Sequence, residues 1–82
     1  MDPSYLKDLL WRGREVEFDY GTSRYVITKT DRRLRTEYSF GRKWGGTMIT
    51  SDYFDGILYR REFGTSLYDM LREIDGSRVT IY

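Results

Sequence analysis

Apolar positions recur at helical spacing near both ends of the chain and alternate with polar ones in between. In "PSYLKDLLW", Tyr5, Leu6, Leu9 and Leu10 share one helical face. Asp2 suits an N-cap, Pro3 the first helical position and Gly13 a stop, which predicts a helix over about residues 3–12. Trp11 falls almost opposite the apolar stripe, near Lys7, and is expected to tuck inward as the final turn unwinds. "REVEFDY" then alternates: Val16, Phe18 and Tyr20 take one face, Glu15, Glu17 and Asp19 the other, the pattern of a half-buried strand. Gly21–Thr22 suits a type II′ turn. A two-residue loop there sets Phe18 opposite Tyr25, Val16 opposite Ile27 and Asp19 opposite Arg24, so apolar meets apolar and acid meets base.

A second strand is predicted over about residues 24–30, a turn at "DRR", and a third strand over "LRTEYSF". Leu34, Thr36, Tyr38 and Phe40 would share a face of that strand. "GRKWGG" is the next connection. In "TMITSDYFDGILYRREF" the Asp55–Gly56 pair predicts a hairpin that sets Phe54 opposite Ile57, Tyr53 opposite Leu58 and Met48 opposite Phe63. A short helix over 52–59 is the rival reading, and Gly56 in its middle argues against it. "TSLYDMLREIDG" predicts a second helix, with Ser66 and Asp69 as a near capping box, Leu67, Met70, Leu71 and Ile74 as the core face, and Gly76 as the end. "SRVTIY" closes as a strand with Val79 and Ile81 inward. The expected fold is α+β: an antiparallel β-meander of five to six strands packed against one or two short helices, in the order α-β-β-β-β-β-α-β. Strong twist would curl such a sheet into a partly open barrel. The expected core includes Leu6, Leu9, Val16, Phe18, Ile27, Leu67, Leu71 and Ile74.

Composition narrows the chemistry. Eighty-two residues make one domain. With no His and no Cys, the Ser-His-Asp and Cys-His arrangements and a His/Cys zinc site are excluded. Neither a GxGxxG before a helix nor a GxxxxGK[ST] occurs, and Gly41, Gly45 and Gly46 read as turn chemistry. "DYFDG" is too poor in ligands for an EF-hand loop. Glu15, Glu17 and Asp19 line one strand face, but so short a chain can hardly wall the cleft that a carboxylate-pair glycosidase needs. No catalytic turnover and no cofactor are expected. The remote enzymatic alternative is a metal-free ribonuclease toxin using Arg, Lys, Glu and Tyr. No apolar run approaches a membrane span, so no membrane partner is expected, and the chain reads as a cytosolic monomer.

The net charge of +1 conceals a pattern. Lys29, Arg32, Arg33, Arg35, Arg42 and Lys43 against Asp31 and Glu37 give residues 29–43 a net of +4, between flanks that are each mildly acidic. A charged stripe is ordinarily a solvated face. Aromatic residues make up 17% of the chain, most of which half-buried strands would absorb, yet Trp44 lies among Arg42, Lys43, Gly45 and Gly46, none of which builds a core. Trp44 is either a lid folded back on the sheet or an anchor offered to a partner.

Two binding modes fit. In the first, Trp44 anchors a protein partner within a rim of Arg42 and Lys43, extended by Tyr53, Tyr59, Arg60 and Arg61 on the Asp55–Gly56 hairpin. In the second, Arg32, Arg33, Arg35, Arg42 and Lys43 track a nucleic-acid backbone while Tyr38 or Trp44 stacks on bases, against which stands a nearly neutral whole-chain charge. "LLWRGREVEFDYGTSRYVIT", residues 9–28, resembles the opening of small orphan proteins of Gram-positive phages and prophages. That resemblance implies a non-enzymatic protein that binds, and in some cases inhibits, a host protein such as a defence nuclease. It carries over no functional residue, because the shared pattern is structural.

Overall fold

The computed structural model covers residues 1–82 and has the order α1 (Pro3–Trp11), β1 (Val16–Tyr20), β2 (Ser23–Asp31), β3 (Thr36–Arg42), β4 (Met48–Ser51), α2 (Phe54–Leu58), α3 (Leu67–Glu73), a 3₁₀ turn (Gly76–Arg78) and β5 (Val79–Ile81). The strands form one antiparallel sheet in the order β4-β3-β2-β1-β5. The fold is α+β and its sheet is open, ending at β4 and β5 rather than closing into a barrel.

Local sequence explains most boundaries. The Asp2 side chain accepts the Ser4 N–H at 2.8 Å and starts α1. At its end Gly13 takes φ 79°, and the N–H groups of Gly13 and Arg14 donate to the Leu10 and Leu9 carbonyls at 3.0 Å each. That double bond is a Schellman stop, and the left-handed φ is what calls for glycine. Gly21 has φ 61° while Thr22 does not enter the left-handed region, as a type II′ turn requires. The register expected from this turn is the one found: Val16 opposes Ile27, Phe18 opposes Tyr25 and Asp19 opposes Arg24. Ser66 caps α3 by accepting the Asp69 N–H at 3.1 Å.

One face of the sheet presents Val16, Phe18, Tyr25, Ile27, Tyr38, Phe40 and Ile49 to the buried positions of all three helices. Leu6, Leu9 and Leu10 of α1, Phe54, Ile57 and Leu58 of α2, and Leu67, Met70 and Leu71 of α3 complete the core. Tyr25 sits at its aromatic centre, with ring centroids 5.7 Å from Phe18, 5.5 Å from Phe40 and 5.4 Å from Phe63. Offset and edge-on pairs of this kind contribute about 0.5–1.5 kcal/mol each beyond the area they bury.

Several expectations are corrected. Residues 54–58 form α2 and not the turn of a hairpin, so the strand expected after that turn is absent and a third helix is present instead. An Asp-Gly hairpin turn of the favoured type needs positive φ at both residues, and neither Asp55 nor Gly56 has it. Phe54, Ile57 and Leu58 are instead buried at i, i+3, i+4 spacing. Gly56 is there for closeness: a Cβ on it would lie 2.5 Å from Ser51 Cβ. Met48 therefore opposes Gly41, and Phe63 packs on Tyr25 and Phe40.

Trp11 stays 58% exposed, because its ring covers the Lys29 ammonium, 4.4 Å from the ring centroid. Lys29 lies on the core-side face and also bonds Asp31 at 2.8 Å, so the indole serves as a roof for a cation rather than as core. Leu34 lies in the β2–β3 turn and is 92% exposed, since strand pairing ends at Asp31 opposite Thr36. Tyr5 is exposed, and Ile74 is half-buried because α3 ends at Glu73 and residue 74 is already extended. Gly76 opens the 3₁₀ turn instead of closing α3.

Candidate partner-binding surface

The connection after β3 is built by two glycines and a staple. Gly45 and Gly46 have φ of 67° and 111°, values that turn the chain back so that β4 can pair with β3. Just before them, the Lys43 N–H still donates to the Arg24 carbonyl at 2.8 Å. The Lys43 ammonium reaches Glu17 Oε1 at 2.9 Å, and Arg24 Nε reaches the same oxygen at 2.7 Å. Arg24 goes on to Asp19 at 3.2 Å and to Thr80 Oγ1 at 3.1 Å. Burial pushes the Glu17 carboxyl up, but the hydrogen bonds from Lys43 and Arg24 outweigh it and hold the group below its ordinary value. Hydrogen bonding to Glu17 in turn raises Lys43.

Trp44 projects from this stapled base. It is 73% exposed, with the Lys43 ammonium 5.3 Å from its ring centroid. It is not a lid on the core. It walls an open groove of about 460 Å³ at the β1–β2 turn end of the sheet, together with Asp19, Arg24, Arg42, Arg78 and the Gly21–Ser23 turn. Arg42 is exposed at the end of β3, and its guanidinium lies 5.4 Å from the Phe63 ring centroid.

The residues singled out from the sequence fall in four places. Arg42, Lys43 and Trp44 stand together at one end of the sheet. Arg32, Arg33 and Arg35 occupy the β2–β3 turn at the other end, about 23 Å away over the seven residues of β3. Tyr59, Arg60 and Arg61 lie in the α2–α3 connection: the Tyr59 ring is 5.4 Å from Tyr68, Arg60 pairs with Glu62 at 2.9 Å and Arg61 with Asp69 at 3.2 Å. Tyr38 is a correction, because it is only 4% exposed and its ring packs edge-on against Phe54 at 5.7 Å, so it cannot stack on a base.

The basic block is largely neutralised from within. Arg32 pairs with Glu37 at 3.1 Å, Arg35 with Glu37 at 3.7 Å and with Asp52 at 3.9 Å, Lys29 with Asp31 and Lys43 with Glu17. The bond from Lys29 holds Asp31 below its ordinary value. Only Arg33 and Arg42 of the six cations lack a carboxylate partner, and they sit at opposite ends of the sheet.

Three contributors to the Trp44 end were not singled out from the sequence. Arg24 was legible through its register with Asp19, which already put it beside the turn. Glu17 read as one more outward acid, whereas the flanking cations bury it. Arg78 had no signal, because its place depends on β5 pairing with β1 on the far side of the meander.

No cluster of three or more His, Cys, Asp or Glu side chains is placed to hold a metal ion, and no helix is long and apolar enough to cross a membrane. No family model matches the chain, and no curated protein or solved structure matches it either.

Proposed function

We propose that this chain is a small non-enzymatic binding protein that engages a protein partner through the Trp44 end of its sheet. The observation that carries the reading is Trp44 itself: an indole 73% exposed on a loop whose base is fixed by a buried carboxylate and two cations. Interface energy concentrates in a few Trp, Tyr and Arg anchors surrounded by polar groups, and this end of the sheet offers one Trp with Arg42 and Lys43 beside it. The pairing within the basic block argues against a nucleic-acid tracking surface, which needs several free cations along one path. The resemblance of residues 9–28 to phage and prophage proteins supplies the class of partner, a host protein that binding inhibits, with a defence nuclease as the leading example.

The test is affinity capture from a Gram-positive lysate with the immobilised chain, with and without nuclease treatment, repeated with Trp44→Ala. The expected result is a protein retained after nuclease and lost with the variant. Retention by Trp44→Ala refutes this surface. Recovery that requires nucleic acid refutes the protein-partner reading in favour of nucleic-acid binding.

A further inference from the structure

The groove beside Trp44 brings together two of the six cations that lack a carboxylate partner, while the other four, Lys7, Arg14, Arg33 and Arg72, lie outside it. Arg12, Arg24, Lys29, Arg32, Arg35, Lys43, Arg60 and Arg61 all have carboxylate partners within the chain. Arg42 and Arg78, which both line the groove, have none. Arg24 is a third cation there, and Asp19, the one acid in the lining, already accepts from it at 3.2 Å. The lining is therefore net +2. Trp44 is the one hydrophobic residue of the lining.

Both free guanidiniums are fixed at their base. Arg42 ends β3, opposite Tyr25, and its head is held over the Phe63 ring. Arg78 closes the 3₁₀ turn, donating its N–H to the Asp75 carbonyl at 2.9 Å, and leads directly into β5. A guanidinium is a planar fork that matches a carboxylate through two parallel hydrogen bonds. A stacked guanidinium keeps that capacity, because the ring occupies its face and not its edge.

We infer that this groove takes the carboxylates of an acidic peptide segment, with an apolar neighbour of those acids resting on Trp44. The inference rests on the protein-binding reading above and specifies the chemistry of its partner. A nucleic-acid strand fits less well, because the adjoining depression, which shares Asp19 and Arg78 with the groove, adds Glu73 and Asp75 to its lining. A polyphosphate chain leaving in that direction meets three acids. A peptide carries its charge on side chains, so carboxylates beyond the first one or two can turn outward to solvent, whereas a phosphodiester carries its charge in the backbone.

The experiment uses the full chain with Trp11→Phe, which leaves Trp44 as the only tryptophan of the two. Its emission is followed during titration with hexaglutamate, hexalysine, inorganic phosphate and a six-residue oligothymidylate. The expected result is a saturable change with hexaglutamate, absent with hexalysine and with phosphate, and weakened at least about tenfold when Arg42→Ala and Arg78→Ala are added. Both arginines are exposed, and circular dichroism checks that the variant keeps its fold. No response to hexaglutamate, an unchanged affinity in the double variant, a response to phosphate equal to that to hexaglutamate, or tighter binding of the oligonucleotide would each overturn the inference. If hexaglutamate fails to bind while partner capture still depends on Trp44, the acidic-peptide inference falls alone. If hexaglutamate binds but capture survives Trp44→Ala, the assignment of partner binding to the Trp44 surface falls and the groove's acid recognition stands.

Discussion

Gly56→Ala tests whether the closeness of α2 to β4, rather than a turn, is the reason for that glycine. On propensity alone, alanine in a helix interior is favoured over glycine by about 0.8–1.0 kcal/mol. Here the new methyl carbon would stand 2.5 Å from Ser51 Cβ, where ordinary contact begins at 3.4 Å, so the elements must part by roughly 1 Å. Rotating the Ser51 hydroxyl away does not relieve the overlap with its Cβ, and it removes the acceptor of the Tyr53 N–H at the start of α2. Overpacking of this kind costs about 1–3 kcal/mol. The five-residue helix recovers only part of the propensity gain, so a net loss of about 1–2 kcal/mol is expected. In a chain of this size that lowers Tm by roughly 4–16 °C. Urea unfolding followed by circular dichroism measures it, and Ser51→Gly completes a double-mutant cycle. Removing the Ser51 Cβ should return at least about 1 kcal/mol of the loss as coupling energy. A Gly56→Ala variant more stable than the parent would refute the reasoning. So would additive effects, since a turn glycine would have no reason to couple to Ser51.

Leu71→Ala, at a fully buried position of α3, should cost about 2–5 kcal/mol in the same unfolding assay, and a loss below about half a kilocalorie would detach α3 from the core. Trp44→Ala should change stability by less than about 0.5 kcal/mol while weakening partner binding by more than about 1 kcal/mol in calorimetry; a large loss of stability would make Trp44 structural after all. For Glu17, the lowered folded-state pKa means that between that value and the ordinary 4.5 the unfolded chain binds more protons. Its contribution is therefore complete above pH 4.5 and is lost as pH falls through the lowered value, so Glu17→Gln should flatten the acid limb of a stability–pH curve, and an unchanged limb would sink the point. Lys43 behaves in the opposite sense: its contribution is complete below 10.5 and is lost as pH rises through its raised value, so Lys43→Met should flatten the alkaline limb, and no change there would count against the staple.

What was legible in the sequence was local. Alternation in "VEFDY", a positive-φ turn at Gly21 and the Asp19–Arg24 pairing determined the register of β1 on β2 without reference to the rest of the chain. The caps at Asp2 and Ser66 were equally local, since each bonds an N–H two or three residues on. The misreadings occurred where a distant group decided the outcome. Gly56 looked like turn chemistry because the sequence does not show Ser51 above it, although Phe54, Ile57 and Leu58 at helical spacing were the available sign. Trp11 looked like a residue in need of a core because nothing near it showed the cation of Lys29, and Tyr38 looked available because nothing near it showed Phe54.

The candidate site follows the same logic, and it explains why the basic block misled as a unit. In an antiparallel meander, residues seven apart along a strand lie at opposite ends of the sheet, so a run of charge in sequence is divided in space. Arg32, Arg33 and Arg35 went to one turn, and Arg42 and Lys43 to the other. What assembled around Trp44 instead came from Glu17, Asp19, Arg24 and Arg78, each on a different segment from residues 43–47. That convergence has an energetic consequence. A loop with two glycines in five residues is costly to order on binding, because each freely rotating residue loses about 1–2 kcal/mol of backbone entropy. The bonds of Lys43, from its N–H to Arg24 and from its ammonium to Glu17, restrict the loop before any partner arrives. Trp44 is thus presented on a base already fixed by the fold, so less of its contact energy is spent on ordering the loop.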